Sequence, residues 1–222
     1  MKSIAALFML IDHIGVVFFP YDLRWRIIGR LAMPIFAYGV ARGAYYTGAL
    51  ERYMKKILLF ALVSQMPYWA MTSGMKEGAF FELKLNVGFT FFFALVGIYW
   101  MKEVQKAPKN IKVLLASMVC IWLARALNCD YGSYGVLLVW MSYFAFLNQK
   151  PIYYVAIGYM GLTFLTYGMY KEACFLQSVG VLGYGVIGAL GHLSEKRWRK
   201  FFYVFYPLHM SILCTIKWWL NH

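Results

Sequence analysis

Nine apolar runs follow one another along this chain, at roughly 3–20, 27–47, 53–72, 83–100, 111–127, 132–147, 151–167, 174–193 and 201–220. Short polar connections separate them. No other feature narrows the fold as far. A helix that crosses a bilayer needs about 17–25 residues. The sixth and seventh runs stand at or below the low end, so the pattern predicts about nine transmembrane helices, with eight to ten open. A membrane β-barrel would show alternating segments of about ten residues instead. The sequence therefore predicts an all-α, polytopic membrane helical bundle, with residues 1–222 forming a single domain. With 62% hydrophobic and only 14% charged residues, an ordinary soluble domain is excluded.

The net charge of +13 would suggest nucleic acid in a soluble protein. Here the cations lie between the apolar runs, so they are better explained as topology signals, and no nucleic-acid partner is expected. With nine spans and an inner N-terminus, Lys2, Arg42, Arg52, Lys55, Lys56, Lys102, Lys106, Lys109, Lys112, Lys150, Lys196, Arg197, Arg199 and Lys200 fall inside. Arg24, Arg26, Lys76, Lys84 and Lys171 fall outside. This asymmetry predicts a cytoplasmic N-terminus and an extracytoplasmic C-terminus. Residues 1–20 do not read as a cleaved signal peptide, because Asp12 and His13 interrupt the apolar core and no small-x-small site follows. Cys120, Cys129, Cys174 and Cys214 show neither zinc nor disulfide spacing and read as apolar filler. No metal site is expected.

The first run, "LFMLIDHIGVVFFP", carries an acid and an imidazole where lipid should be. A charge near the bilayer centre costs about 2.5–3.5 kcal/mol or more, so such groups mark function by default. Adjacent residues diverge by about 100° on a helix, so Asp12 and His13 need not bond each other. In "RWRIIGRLAMPIF", Arg26 and Arg30 share a face with Gly29 between them. Arg30 needs an anionic partner, which Asp12, Asp130 or a bound anion can supply; the alternative is snorkelling to headgroups. Pro34 leaves the carbonyl of Arg30 without its helical donor, a place for a bend. Asn86 and Thr90 share a face across Gly88, a pattern that also suits plain interhelical hydrogen bonding. Ser64 and Gln65 precede Pro67 in "SQMPYW", and packing is the simpler account of them. Tyr206 and His209 stack around Pro207. On the predicted topology Asp12, His13, Asp130, His209 and Asn86 gather at similar depth, outward of the membrane centre. A phosphate-binding loop, a serine elbow and a metal-ligand cluster are all absent from the sequence.

"IAALFMLIDHIGVVFF", "RIIGRLAMPIFAYGVARG", "SQMPYW", "LNVGFTFFFALVGIYW", "DYGSYGVLLV" and "FFYVFYPLHM" together resemble the TraX family, in that family's order and over nearly the whole chain. The family's acid-His pair matches Asp12 and His13, and its Gly-Arg matches Gly29 and Arg30, followed by Pro34. Its Asn matches Asn86, its Asp-Tyr-Gly matches Asp130, Tyr131 and Gly132, and its Pro-x-His matches Pro207 and His209. Met33 stands where Phe is expected. The resemblance implies a multi-pass protein of the bacterial cytoplasmic membrane. Its founding type acetylates the N-terminus of conjugative pilin, within a wider group of transmembrane acyltransferases that use cytoplasmic acyl-CoA.

On that resemblance, His13 is the expected general base, with Asp12 or Asp130 orienting it. His209 is a second proton carrier or a donor to the thioester carbonyl. Arg30 stabilises developing negative charge. Asn86, Tyr131, Arg26 and Tyr206 are expected to bind substrate. Lys55, Lys56, Lys109 and Lys112 are candidate contacts for acetyl-CoA, beside the simpler reading that they only set topology. Membrane lipids and a peptide-amine or glycan-hydroxyl acceptor complete the expected partners. Two other classes stay open: a proton-coupled transporter using Asp12, His13, Asp130 and His209 as a relay, and a non-catalytic assembly partner.

Overall fold

A computed structural model describes residues 2–72, 84–106, 111–190 and 201–220 of the chain. The apolar runs become helices: α1 (Lys2–Phe18), α2 (Leu23–Gly29), α3 (Ala32–Tyr46), α4 (Leu50–Thr72), α5 (Val87–Lys106), α6 (Ile111–Ala126), α7 (Gly132–Leu147), α8 (Ile152–Tyr167), α9 (Lys171–Ser178), α10 (Leu182–Leu190) and α11 (Phe201–Leu220). A single 3-10 turn, Val179–Val181, joins α9 to α10. Among the described residues the fold is all-α, and pairing of β type is confined to an isolated bridge between Leu85 and Cys129.

Two predicted runs are interrupted. The second begins earlier than expected, at Leu23, and breaks at Arg30 and Leu31 into α2 and α3. Asp22 caps α2 by accepting from the Arg24 backbone at 3.0 Å and its side chain at 2.9 Å. That side-chain bond, with the backbone bond behind it, holds the Asp22 carboxyl below the usual carboxylate range. Pro34 then sits in the first turn of α3, where its missing N–H costs little. The eighth run breaks at the 3-10 turn. The two breaks face each other: a Cβ on Gly180 would stand 3.0 Å from the Arg30 carbonyl, and one on Gly183 would stand 2.8 Å from that of Leu31. Only glycine lets these backbones approach so closely.

The core lies along α3, α5 and α7, with α1, α4 and α11 on one side and α8 to α10 on the other. Small residues allow this. Ala32, Ala37, Ala41 and Ala44 line the buried face of α3, and a Cβ on Gly97 would collide with the Trp140 ring at 2.1 Å. That ring donates from Nε1 to the Ala94 carbonyl at 2.9 Å.

The outward faces are apolar. Leu59, Leu62, Val63 and Met66 are exposed on α4, as are Leu115, Met118, Val119 and Trp122 on α6. Soluble monomers rarely leave patches of this kind open to water. The stretch Lys171–Leu190 is long and apolar enough to cross a membrane by length and composition. Most of the other apolar helices are shorter, at 10–17 residues, so helix length alone does not establish a nine-span count.

Candidate active site

His13 is buried on α1, and its partner comes from the far end of the chain. His13 Nδ1 and His209 Nε2 stand 2.7 Å apart. The two rings are stacked, 4.9 Å between centroids and 9° between planes. The other nitrogen of His209, Nδ1, lies 2.7 Å from the Phe205 carbonyl. A carbonyl only accepts, so His209 carries its proton on Nδ1 when neutral. Its Nε2 then accepts from His13 Nδ1–H, which leaves His13 Nε2 with the free lone pair. The backbone of α11 thereby sets the tautomer of both rings. Phe205 stacks on His209 at 4.8 Å, and Tyr206 meets His209 edge-on at 5.8 Å and lies tilted against His13 at 6.1 Å.

Neither acid is the hydrogen-bond partner of His13 Nδ1. Asp12 turns instead toward α2, where Gly29 makes room; a Cβ there would stand 2.2 Å from Asp12 Oδ1. Asp12 Oδ2 pairs with Arg26 Nη1 at 3.1 Å. Asp130 lies in the turn between α6 and α7, with Oδ1 3.7 Å from Lys84 Nζ. Arg30, in the α2–α3 break, donates from Nη1 to the Tyr131 hydroxyl at 3.0 Å.

The turn that presents Asp130 and Tyr131 is over-determined. Leu85 N donates to Asn128 O at 3.2 Å, and Asp130 N donates to Leu85 O at 2.8 Å. Thr90 Oγ1 donates to the Asp130 carbonyl. Gly132 N donates to Cys129 O at 2.8 Å. These bonds hold Tyr131 at φ 61°, a left-handed conformation that is strained for a bulky side chain and concentrates at functional sites.

Asn86 supports the turn from below. Its Nδ2 donates to Ala61 O at 2.7 Å and Gln65 Oε1 at 2.8 Å, and its Oδ1 accepts from Gly88 N at 2.8 Å. The amide is thus occupied in joining α4 to the start of α5. Gln65 in turn donates to Lys84 O at 2.9 Å.

The structure therefore gathers Asp12, His13, Arg26, Arg30, Asp130, Tyr131, Tyr206 and His209, drawn from α1, the α2–α3 break, the α6–α7 turn and α11. Tyr68 of α4 joins them, within electrostatic range of Asp130, Tyr131 and Tyr206. Sequence reasoning missed it, although it directly follows Pro67 in "SQMPYW". Two buried atoms in the cluster, Asp12 Oδ1 and Arg30 Nε, have no hydrogen-bond partner. An unmet acceptor and an unmet cationic donor beside a poised imidazole suit a polar reactant better than a closed core. Lys55 and Lys56 are exposed near the start of α4, away from this cluster. Lys109 and the side chain of Lys112 lie outside the described residues. Among those described, no group of three or more metal-ligating side chains forms.

A family model described as TraX protein matches residues 1–217. Over an alignment of 242 residues the chain is 27% identical to a "Probable fimbrial assembly protein FimC, serogroup H1" of Dichelobacter nodosus, covering 100% of this chain and 96% of that one. It is 24% identical over 146 residues, 65% of this chain and 54% of the other, to "Uncharacterized protein RP591" of Rickettsia prowazekii (strain Madrid E). No solved structure matches.

Proposed function

The chain belongs to the TraX family, and on that premise we propose that it is an integral membrane acyltransferase. It moves an acetyl group from acetyl-CoA on the cytoplasmic side of the bacterial inner membrane to an acceptor on the outer side. The distribution of Lys and Arg supports that orientation, and the exposed apolar faces of α4 and α6 support the membrane setting. A peptide amine is the favoured acceptor, ahead of a glycan hydroxyl, because a full-length relative bears the name of a fimbrial assembly protein.

The observation that carries this reading is the His13–His209 pair, held at 2.7 Å with its tautomer set by the Phe205 carbonyl. His13 Nε2 takes the proton from the acceptor N–H or O–H as its lone pair attacks the thioester carbonyl. The positive charge that forms on His13 is shared with His209 through their hydrogen bond. Arg30 Nε, buried and without a partner, donates to the oxyanion. The C–S bond then breaks, the acetyl group stays on the acceptor, and the imidazolium returns its proton to the thiolate. Asp12 anchors Arg26, and Tyr131 steers Arg30.

Thiol release from acetyl-CoA, measured in membranes carrying the wild-type chain or His13→Ala, tests the proposal. Release by wild type and its loss in the variant is expected. Equal release by both would remove His13 from the chemistry, and proton flux without CoA release would move the assignment to transport.

A further inference from the structure

An amine acceptor brings one proton too many. The α-amino group has a pKa of about 7.7–8.0, so near neutral pH it arrives mostly as the ammonium. Converting that ammonium to an amide sheds two protons, and the departing thiolate takes one. The other must leave the site before His13 can act again as a base. The stacked imidazoles hold a single added proton without breaking their mutual bond, because His13 Nδ1 and both nitrogens of His209 are already engaged.

A line of polar groups leads away from the pair. Tyr206 lies 6.1 Å from the His13 ring and 5.8 Å from the His209 ring, and packs against Phe60 of α4 at 5.2 Å. Phe60, Ser64 and Tyr68 follow at intervals of four along the buried face of α4, one above another, about 6 Å apart along the axis. Ser64 is fully buried, and its Oγ has no hydrogen-bond partner, an exception that asks for a reason. A hydroxyl both donates and accepts, which a proton carrier must do. Tyr206 from α11 and Cys129, Asp130 and Tyr131 from the α6–α7 turn all stand within electrostatic range of Tyr68. Asp130 is within the same range of Tyr206. Its side chain is 29% exposed, with Oδ1 3.7 Å from the Nζ of Lys84, which is 43% exposed. The line that starts at a buried imidazole therefore ends in water.

Resting on the acyltransfer reading, we propose that Tyr206, Ser64 and Tyr68 carry the surplus proton from the His13–His209 pair to Asp130, which releases it at the outer face. Each hydroxyl gives up one proton as it receives another, so each returns neutral. Ammonium and acetyl-CoA thereby yield the acetylated amine, free CoA thiol and one proton in the outer water. An acceptor hydroxyl sheds a single proton, which the thiolate takes, and has no need of the route.

The test uses the full chain in membranes, with acetyl-CoA and a short peptide amide bearing a free N-terminus. Acetylated peptide is measured at pH about 6.5 and about 9.5, either side of the α-amino pKa. At the higher pH the amine arrives neutral and brings no surplus proton. Tyr68→Phe keeps the ring and removes the hydroxyl. It is expected to lose about tenfold or more of wild-type turnover at the lower pH and to match wild type at the higher. Ser64→Ala deletes a hydroxyl without a partner; it is expected to follow the same pattern and decides the matter if Tyr68→Phe does not fold. Tyr184→Phe, on α10 with its ring 5.5 Å from that of Tyr159, keeps wild-type turnover at both. Wild-type turnover by Tyr68→Phe and Ser64→Ala at the lower pH overturns the proposal. So does a loss of equal size at both pH values, the mark of a merely structural role. A wild-type chain that acetylates no peptide defeats acyl transfer to an amine itself, whereas the ratio of variant to wild type concerns only the proton route.

Discussion

Two buried polar networks meet the N-terminal end of α7, and they differ in charge and in how completely their atoms are paired. The first joins α1, the α2–α3 break, the α6–α7 turn and α11 through Asp12, His13, Arg26, Arg30, Tyr131 and His209. The second joins α7, α8 and α9. There the Tyr134 and Thr163 hydroxyls are 2.8 Å apart, Gln177 Nε2 donates to Tyr134 and Tyr159 at 3.3 Å each, and Tyr159 donates to the Gln177 carbonyl. The second contains no charge, and each of the four side chains named has a hydrogen-bond partner within it. The first contains acids, bases and guanidiniums, and leaves Asp12 Oδ1 and Arg30 Nε unmatched. A closed neutral network fixes helices. An open charged one keeps capacity for a reactant, at a cost that only function explains.

That contrast can be broken by substitution. The largest effect is expected at His13→Ala, with thiol release from acetyl-CoA falling at least about 100-fold, as for loss of a general base. Wild-type turnover in that variant would end the proposal. Arg30→Gln is expected to lower kcat by about 100-fold while the KM for acetyl-CoA changes little; a change confined to KM would make Arg30 a binding group instead. His209→Ala leaves His13 without its acceptor and should cost about 10- to 100-fold through misorientation. His209→Gln, whose oxygen can still accept from His13 Nδ1–H, should recover part of this, and equal loss in both variants would argue against a positioning role. Replacing Lys55 and Lys56 by Gln should raise the KM for acetyl-CoA a few-fold at low salt, with the difference fading near 1 M salt. If the difference is independent of salt, the effect is not electrostatic. Gln177→Leu closes the series. Thermal melting in detergent should show it less stable by about 1–3 kcal/mol, with turnover per folded molecule unchanged. Lost turnover at full stability would erase the distinction between the two networks.

Much of the first network was visible in the chain itself. Asp12, His13, Arg30 and His209 are conspicuous because each interrupts an apolar run, and lipid makes such interruptions costly. The second network gave no comparable signal. Tyr134, Tyr159, Thr163 and Gln177 are ordinary residues of an aromatic-rich helical chain, and their hydrogen bonds depend on which helices meet. Tyr68 was hidden for the same reason. The break at Arg30–Leu31 was half legible: Pro34 marked the carbonyl that loses its donor, but the glycines that receive the exposed backbone, Gly180 and Gly183, lie some 150 residues away.

The amino-acid sequence by itself determined the helical class, the order of the helices and which ionisable groups would be expensive to bury. Those properties follow from hydropathy and spacing, which are local. The tertiary structure alone decided that His13 pairs with His209 across 196 positions and that Asp12 serves Arg26 rather than the imidazole. Side chains reach one another only at hydrogen-bonding or van der Waals distance, and which distant helices come that close is settled by packing.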